Sequence, residues 1–358
     1  MRVLHINAGN EDGGARTYIV NLMKGQKLIG EKSTLLTFQE GPVSKMAREN
    51  GLSVSVMEQK QRFDLSILKP LTKYINNNNF DIVHTHGPRA NYIVSLIRKK
   101  INAKWVITVH SDPRIDFSGL KGKVMLKLNL HALKRADSLF YMNPDLEEYF
   151  ESLNIRSSKT FEVFNAIDFS GINPRFTRQP AFNLLEVARL VEVKNHRLLL
   201  EALSKVKFNY RLTLVGDGPL MDDLRDLAKE LGIKDKVDFV GFRENTGDYY
   251  QECDVSVLTS KSESLPTVYL ESAAYGKPVI ATNVGATDKI INDDTGWLVD
   301  SGDEQGLIKA LTDAHSMWRD GNLDQKGLAL YQEVRDNYSI EQLARKVNDG
   351  YTKTINAE

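Results

Sequence analysis

Short apolar runs alternate with longer amphipathic stretches along nearly the whole chain, and few folds accept that pattern. Residues 3–7, 33–38, 53–57, 82–84, 105–109, 138–141 and 161–164 read as strands, and residues 15–29, 65–76 and 89–100 carry apolar side chains at helical spacing between them. Strand, helix and strand at this spacing make a crossover unit, and successive units build a parallel sheet. The pattern lapses over 168–183, where Gly171, Pro174 and Pro180 interrupt it. It then restarts, with strands expected at 184–188, 212–215, 237–240, 255–258, 279–281 and 297–299. Helices are expected at 196–206, 220–231, 267–275 and 304–317. The predicted class is α/β: two doubly wound Rossmann-like domains, 1–170 and 171–338, facing across a cleft. A length of 358 residues suits two domains. The last helical stretch, within 339–358, comes after the second domain looks complete and is expected to cross back to the first.

Charge is unevenly divided. The formal net charge is zero, yet residues 1–170 carry 24 Lys and Arg against 17 Asp and Glu, and the remainder 23 against 30. A positive first domain suits an anionic acceptor or a membrane surface, although a chance split of surface charge gives the same numbers. The single cysteine, Cys253, excludes an intrachain disulfide and a Cys-based zinc site, and fits a reducing compartment. Met1-Arg2 runs straight into the first strand, too short and mixed for a signal peptide. No stretch approaches the roughly 20 apolar residues of a membrane span. The expected location is cytoplasmic, with peripheral contact at the inner face of the membrane as an extension. No nucleic-acid partner is expected.

In open parallel sheets, ligands bind beyond the carboxyl ends of the strands. The first such loop is Asn7-Ala-Gly-Asn-Glu-Asp-Gly-Gly14-Ala15, which opens a helix. Its glycines allow close backbone approach, and free N–H groups at a helix start favour anions. The spacing is not G-x-G-x-x-G, so the dinucleotide fingerprint is absent. His84, His86 and His110 lie at strand ends. His84 reads as a structural histidine in an apolar strand, and His110 as one facing the cleft, where imidazole suits a transferring group. A His84/His86/His110 metal site is conceivable, but the paired carboxylates of hard-metal diphosphate sites are not evident, so no metal is expected.

The second domain is richer. Arg189 follows its first strand and Lys194 comes five residues later, two cations placed to neutralise a diphosphate leaving group unless they are simply solvated surface charges. Gly216-Asp-Gly-Pro219 is a tight turn that either touches a nucleotide or only shapes the loop. Phe242 and Arg243 end another strand, where backbone can receive a base. Ser260–Thr282 runs strand, loop, helix, strand. Glu263, Ser264, Leu265 and Pro266 form the loop, Thr267 and Val268 the helix start, and Glu271 lies one turn further in. Amides at the helix start favour phosphate oxygens, and a carboxylate at Glu271 can accept two ribose hydroxyls.

With these motifs together, the chain resembles the retaining glycosyltransferases of the two-Rossmann GT-B fold, specifically the large family 4. Glu263 and Glu271 have the family's E-x7-E spacing. The Gly13-Gly14 loop, Thr108-Val-His110, Asn165-Ala-Ile-Asp168, Arg189 with Lys194, Gly216-Asp-Gly-Pro219 and Gly276-Lys-Pro-Val-Ile-Ala-Thr282 follow in matching order. The resemblance implies that Gly14 offers backbone to the diphosphate or acceptor side, and that His110 bonds a donor-sugar hydroxyl. It further implies that Arg189 and Lys194 hold the diphosphate as it leaves, Glu263 the donor sugar and Glu271 the ribose. It implies no metal and no cofactor, the nucleotide sugar being a co-substrate. The implied partners are a UDP-sugar, less readily a GDP-sugar, and a glycan or lipid-linked acceptor of bacterial surface polysaccharide synthesis. Ala188, Ser264 and Ala166 depart from the family's glycines, which puts donor identity in doubt rather than reaction type.

Two further features frame the alternatives. Residues 120–135 carry Lys121, Lys123, Lys127, His131, Lys134 and Arg135 among apolar residues. They read either as a basic amphipathic helix on an anionic membrane or as a packed helix with a solvated face. The rival functions are a nucleotide-sugar epimerase of similar form, a Rossmann oxidoreductase, and a non-catalytic glycosyltransferase-like subunit. The missing dinucleotide fingerprint argues against the second, and the retained charged residues against the third.

Overall fold

The structure, a computed structural model, describes residues 1–11, 13–61, 64–116, 119–143, 145–174 and 180–357. Asp12, residues 175–179 of the expected linker, and the side chains of Leu120 and Lys121 lie outside the described residues. The chain divides into two compact units, Met1–Asp168 with Ile340–Glu358, and Phe169–Ser339.

The first unit holds a seven-stranded sheet in the order β3-β2-β1-β4-β5-β6-β7. Its strands are β1 Arg2–Asn7, β2 Lys32–Thr37, β3 Val54–Val56, β4 Ile82–His86, β5 Lys104–Val109, β6 Ser138–Tyr141 and β7 Thr160–Glu162. Every pairing is parallel. Helices cover both faces, which is why all of β4 and all of β5 after Lys104 are buried, although β4 ends in His84-Thr-His86. The connecting helices are α1 Gly14–Leu28, α2 Pro42–Glu49, α3 Leu68–Asn77, α4 Pro88–Ile97, α5 Pro113–Asp116, α6 Gly119–Arg135 and α7 Asp145–Ser152. Strand order reverses between β1 and β4, so their carboxyl ends, at Asn7 and His86, flank the switch point.

The second unit repeats the plan with six parallel strands in the order β10-β9-β8-β11-β12-β13. They are β8 Phe182–Val187, β9 Tyr210–Val215, β10 Val237–Gly241, β11 Val255–Leu258, β12 Val279–Thr282 and β13 Gly296–Val299. Its helices are α8 His196–Lys205, α9 Met221–Glu230, α10 Gly247–Glu252, α11 Thr267–Ala274, α12 Glu304–Asp320 and α13 Leu323–Tyr338. Here the switch point lies between β8 and β11.

The final helix, α14 Ile340–Asn356, belongs to the first unit and packs along α1. Ile340, Leu343, Ala344, Val347 and Tyr351 share a buried cluster with Tyr18 and Leu22 of α1 and with Val3, Ile82, Val106 and Phe140 of the sheet. Gly25 permits this approach, because a Cβ there would lie 2.0 Å from the Ile340 carbonyl oxygen. Apolar burial of this kind contributes roughly 25 cal/mol per Å².

Candidate functional site

In the second unit the two switch strands end in loops that are bonded to each other. After β8 the chain passes Ala188 and Arg189 and makes a 3-10 turn, Glu192–Lys194, before α8. After β11 it passes Thr259 and Lys261 to Glu263 and then α11. Lys261 N–H donates to the Val193 carbonyl (2.7 Å), and Thr259 Oγ1 donates to the carbonyls of Asn195 (3.0 Å) and Lys194 (3.3 Å). These bonds hold the backbone that carries Lys194 and Glu263, and the two side chains close an ion pair across the switch point. Both are largely buried, at 19% and 12% side-chain exposure, so water screens the pair little. An ammonium has three donors, and Glu263 uses only part of that capacity. Arg189, at the same strand mouth, is exposed and forms no ion pair among the described residues.

Glu263 is followed by exposed Ser264, then buried Leu265 and Pro266. Pro266 is the N-cap of α11, and its fixed φ suits a helix start. Thr267 and Val268 are half-buried first-turn residues, and the first amides of a helix have no intrahelical acceptor. Glu271, one turn on, takes a hydrogen bond from Thr246 Oγ1 (3.4 Å). Burial raises its pKa above the ordinary value, against the opposing bonds from Tyr250 and Thr246. Beyond β10, Phe242 is 71% exposed and Arg243 folds back onto the Phe242 carbonyl (2.8 Å). The structure gives Gly216 a packing reason. Its φ is +151°, and a Cβ would sit 1.8 Å from the Ala188 oxygen, where the loops after β8 and β9 touch.

Sequence reasoning missed Glu186. It lies inside β8, fully buried, and neither carboxylate oxygen has a hydrogen-bond partner among the described residues. His196 Nε2 is 3.6 Å away, an ion-pair distance, but burial pushes the carboxyl well above its usual range and the imidazole down to about 4. Burial thus favours the neutral form of both. No spacing rule marks such a residue, because its neighbours come from other elements.

In the first unit, His110 follows β5 and lines a cavity of about 160 Å³ with Glu11, Ala15, Gly87, Thr108, Asn129 and their neighbours. Gly14 opens α1 and is exposed. Asn7, the last residue of β1, organises the switch point. Its side chain accepts from Gly9 N–H (2.7 Å) and donates to Glu11 (2.9 Å) and the His86 carbonyl (3.0 Å). Burial raises the Glu11 pKa. A larger cavity, about 450 Å³, lies at the opposite edge of the sheet beside Arg2, Lys32 and Ser53, where strands begin and no switch point exists.

β4 runs two residues past the expected end and takes His86 into the sheet, on the same face as His84. His5, His84 and His86 offer ligand atoms within 4.8 Å of one another. Both nitrogens of His84 are engaged, by the Tyr351 hydroxyl (2.6 Å) and Thr108 Oγ1 (2.7 Å), and His5 Nδ1 is hydrogen-bonded to His86 Nε2 (3.0 Å). The cluster is a hydrogen-bonded network whose nitrogens satisfy one another and their neighbours.

Comparison with known proteins follows the same division. Residues 13–165 match the model described as "Glycosyl transferase 4-like domain", and residues 176–326 the model "Glycosyl transferases group 1". A lipopolysaccharide core biosynthesis glycosyltransferase, LpsD of Rhizobium meliloti, is 35% identical over 87% of this chain and 87% of its own. An N-acetylgalactosaminyltransferase of Campylobacter jejuni, named for a diphospho-undecaprenol acceptor, is 29% identical over 67% of this chain and 68% of its own. The crystal structure of Anabaena HepE in complex with UDP superposes with a TM-score of 0.81 at 17% identity, covering 98% of this chain and all of that one. Two parallel-sheet α/β units, two matching domain models and relatives aligned along most of the chain place it: the protein belongs to the group 1, family 4-like glycosyltransferases of the GT-B fold.

Proposed function

We propose that the chain moves a hexose or N-acetylhexosamine from a UDP-sugar, or less readily a GDP-sugar, to a glycan or lipid-linked acceptor in surface polysaccharide synthesis. The observation that carries this reading is the bonded pair of loops at the β8–β11 switch point, which holds Lys194 and Glu263 together beside the start of α11. Lys194 and Arg189 supply positive charge where a diphosphate departs, and the amides of Thr267 and Val268 offer further donors to its oxygens. Glu271 accepts the ribose hydroxyls, Glu263 the donor sugar, and His110 of the first unit a sugar hydroxyl. With the leaving charge met by these groups, the reaction needs no metal ion and no cofactor, and the sugar keeps its anomeric configuration. The acceptor class rests on the names of relatives that act on undecaprenol-linked sugars. We also infer that the exposed basic face of α6 brings the protein to the anionic membrane surface where such acceptors reside.

The test is turnover with a panel of UDP- and GDP-sugars and lipid-linked acceptors, with and without chelator, followed by the anomeric configuration of the product. Lys194→Ala and Glu271→Ala are each expected to lower turnover at least ~100-fold, the scale of one lost transition-state contact. Near-normal turnover in both would remove the site assignment. Conversion of the donor without acceptor would identify an epimerase instead.

A further inference from the structure

Three buried histidines of the first unit, His5, His84 and His86, lie beside half-buried His110, and three of the four form one line of hydrogen bonds from α1 to the cavity. Gln26 Oε1 bonds His5 Nε2 (2.9 Å), His5 Nδ1 bonds His86 Nε2 (3.0 Å), and His86 Nδ1 bonds His110 Nε2 (3.2 Å). Gln26, His5 and His86 are all fully buried. The sequence places His5 on β1 and His86 on β4, adjacent strands at the switch point, and Gln26 on the helix that packs over them. His84 stands beside the line, its ring centroid 4.2 Å from that of His86, but its own nitrogens go to Tyr351 and Thr108.

A neutral imidazole carries one donor and one acceptor nitrogen, and the bond made by one decides the other. An amide oxygen only accepts, so His5 Nε2 must hold the proton and His5 Nδ1 must be bare. His86 Nε2 must then donate to it, which leaves His86 Nδ1 bare. His110 Nε2 must donate in turn. The direction set at Gln26 passes unchanged through two rings. Burial favours the neutral form of every member, and no cation interrupts the line.

We propose that Gln26, His5 and His86 are positioning residues that fix His110 as its Nε2–H tautomer, so that His110 presents to its ligand a bare Nδ1 that can only accept. This rests on the reading of His110 as a donor-sugar contact, and it sharpens that reading into a selectivity. The ligand group meeting His110 must bring a hydrogen, as a sugar hydroxyl or an amide N–H does. A carboxylate, as in a uronic acid, or a fluorine in place of that hydroxyl would set lone pair against lone pair. Reversal of the Gln26 amide would reverse every bond and make His110 a donor, so the polarity of the site is decided at α1, three bonds away.

The experiment is long-range proton–nitrogen NMR of the full chain labelled at histidine nitrogens, near pH 7, with His110 assigned through the His110→Asn spectrum. The expected result is a protonated Nε2 and a lone-pair Nδ1 on His5, His86 and His110 alike. In Gln26→Met the line loses its fixed end, and His110 is expected to show both tautomers. A protonated Nδ1 on His110 in the unaltered protein would overturn the proposal, as would an unchanged His110 tautomer in Gln26→Met. Should Gln26→Met fail to fold, the spectrum of the unaltered protein decides alone. These readouts need no substrate, so they stand or fall apart from the glycosyltransfer reading. The selectivity is then read from donor competition. The sugar analogue fluorinated at the contacted hydroxyl is expected to bind at least tenfold more weakly than the parent, and the gap is expected to shrink in Gln26→Met. Equal binding of analogue and parent would separate His110 from the donor and overturn the selectivity.

Discussion

Neither carboxylate oxygen of Glu186 is hydrogen-bonded among the described residues, and burial pushes the imidazole of His196, 3.6 Å away, down to about 4. A raised native pKa means that the folded chain keeps a proton which the unfolded chain releases above about pH 4.5. Stability therefore falls as pH rises from that point toward the native value. Glu186→Gln removes the titration while keeping the shape. It is expected to be at least roughly 1 kcal/mol more stable than the parent at pH 7.5, the scale of one unit of pKa difference between folded and unfolded chain, with the advantage shrinking toward pH 4.5. Denaturant unfolding of both proteins at the two pH values checks this, and an advantage independent of pH would assign the gain to packing. At this scale legibility followed contiguity. Glu263 and Glu271 lie on one loop and helix, so their spacing could be read directly. Glu186 with His196, and Gln26 with His5 and His86, acquire their chemistry from neighbours on other elements.

At the scale of elements, all thirteen expected strands form: the inner strands β1, β4, β5, β8, β11 and β12 are largely buried on both faces, and the edge strands β3, β7 and β10 only partly. α2, α5, α7, α10 and α13 were not foreseen. Four of them are eight residues or shorter, below the span in which helical period shows, and α13 is mixed in polarity because only part of it is buried. α6 carries both faces that its sequence allows. Asn129, Ala132 and Leu133 are buried, with Asn129 accepting a bond from Asn91 of α4 (3.0 Å). Lys123, Lys127, His131 and Lys134 are exposed along the other side with Val124. Each basic residue near an anionic surface contributes about 1 kcal/mol. Reversing Lys123, Lys127 and Lys134 to Glu is therefore expected to cut partition onto phosphatidylserine vesicles more than tenfold in low salt. Unchanged partition would leave α6 with a solvated face and no membrane role.

Across the whole molecule, the titrating interior differs between the units. In the first unit burial lowers the pKa of His5, His84, His86 and half-buried His110, with His5 and His110 brought down to about 4. The unfolded chain protonates them near pH 6.5, so their contribution is lost as pH falls below 6.5. The second unit buries carboxyls with raised pKa, Asp254 at about 6 with Glu186 and Glu271, and these gain on the same descent, against the loss from His196 at about 4. Trp105 reports the first unit, Trp297 and Trp318 the second. Melting followed with single-tryptophan variants from pH 7.5 to 5.5 is expected to lower the first transition and hold or raise the second. Parallel falls would show that these groups do not govern the slope. The placement of α14 carries a consequence for synthesis. The second unit can close once residue 339 has left the ribosome, but the surface of α1 around Tyr18, Leu22 and Gly25 has no cover until residues 340–356 follow. The portion made first is thus completed last, and a chaperone meeting the nascent chain would find its apolar target there.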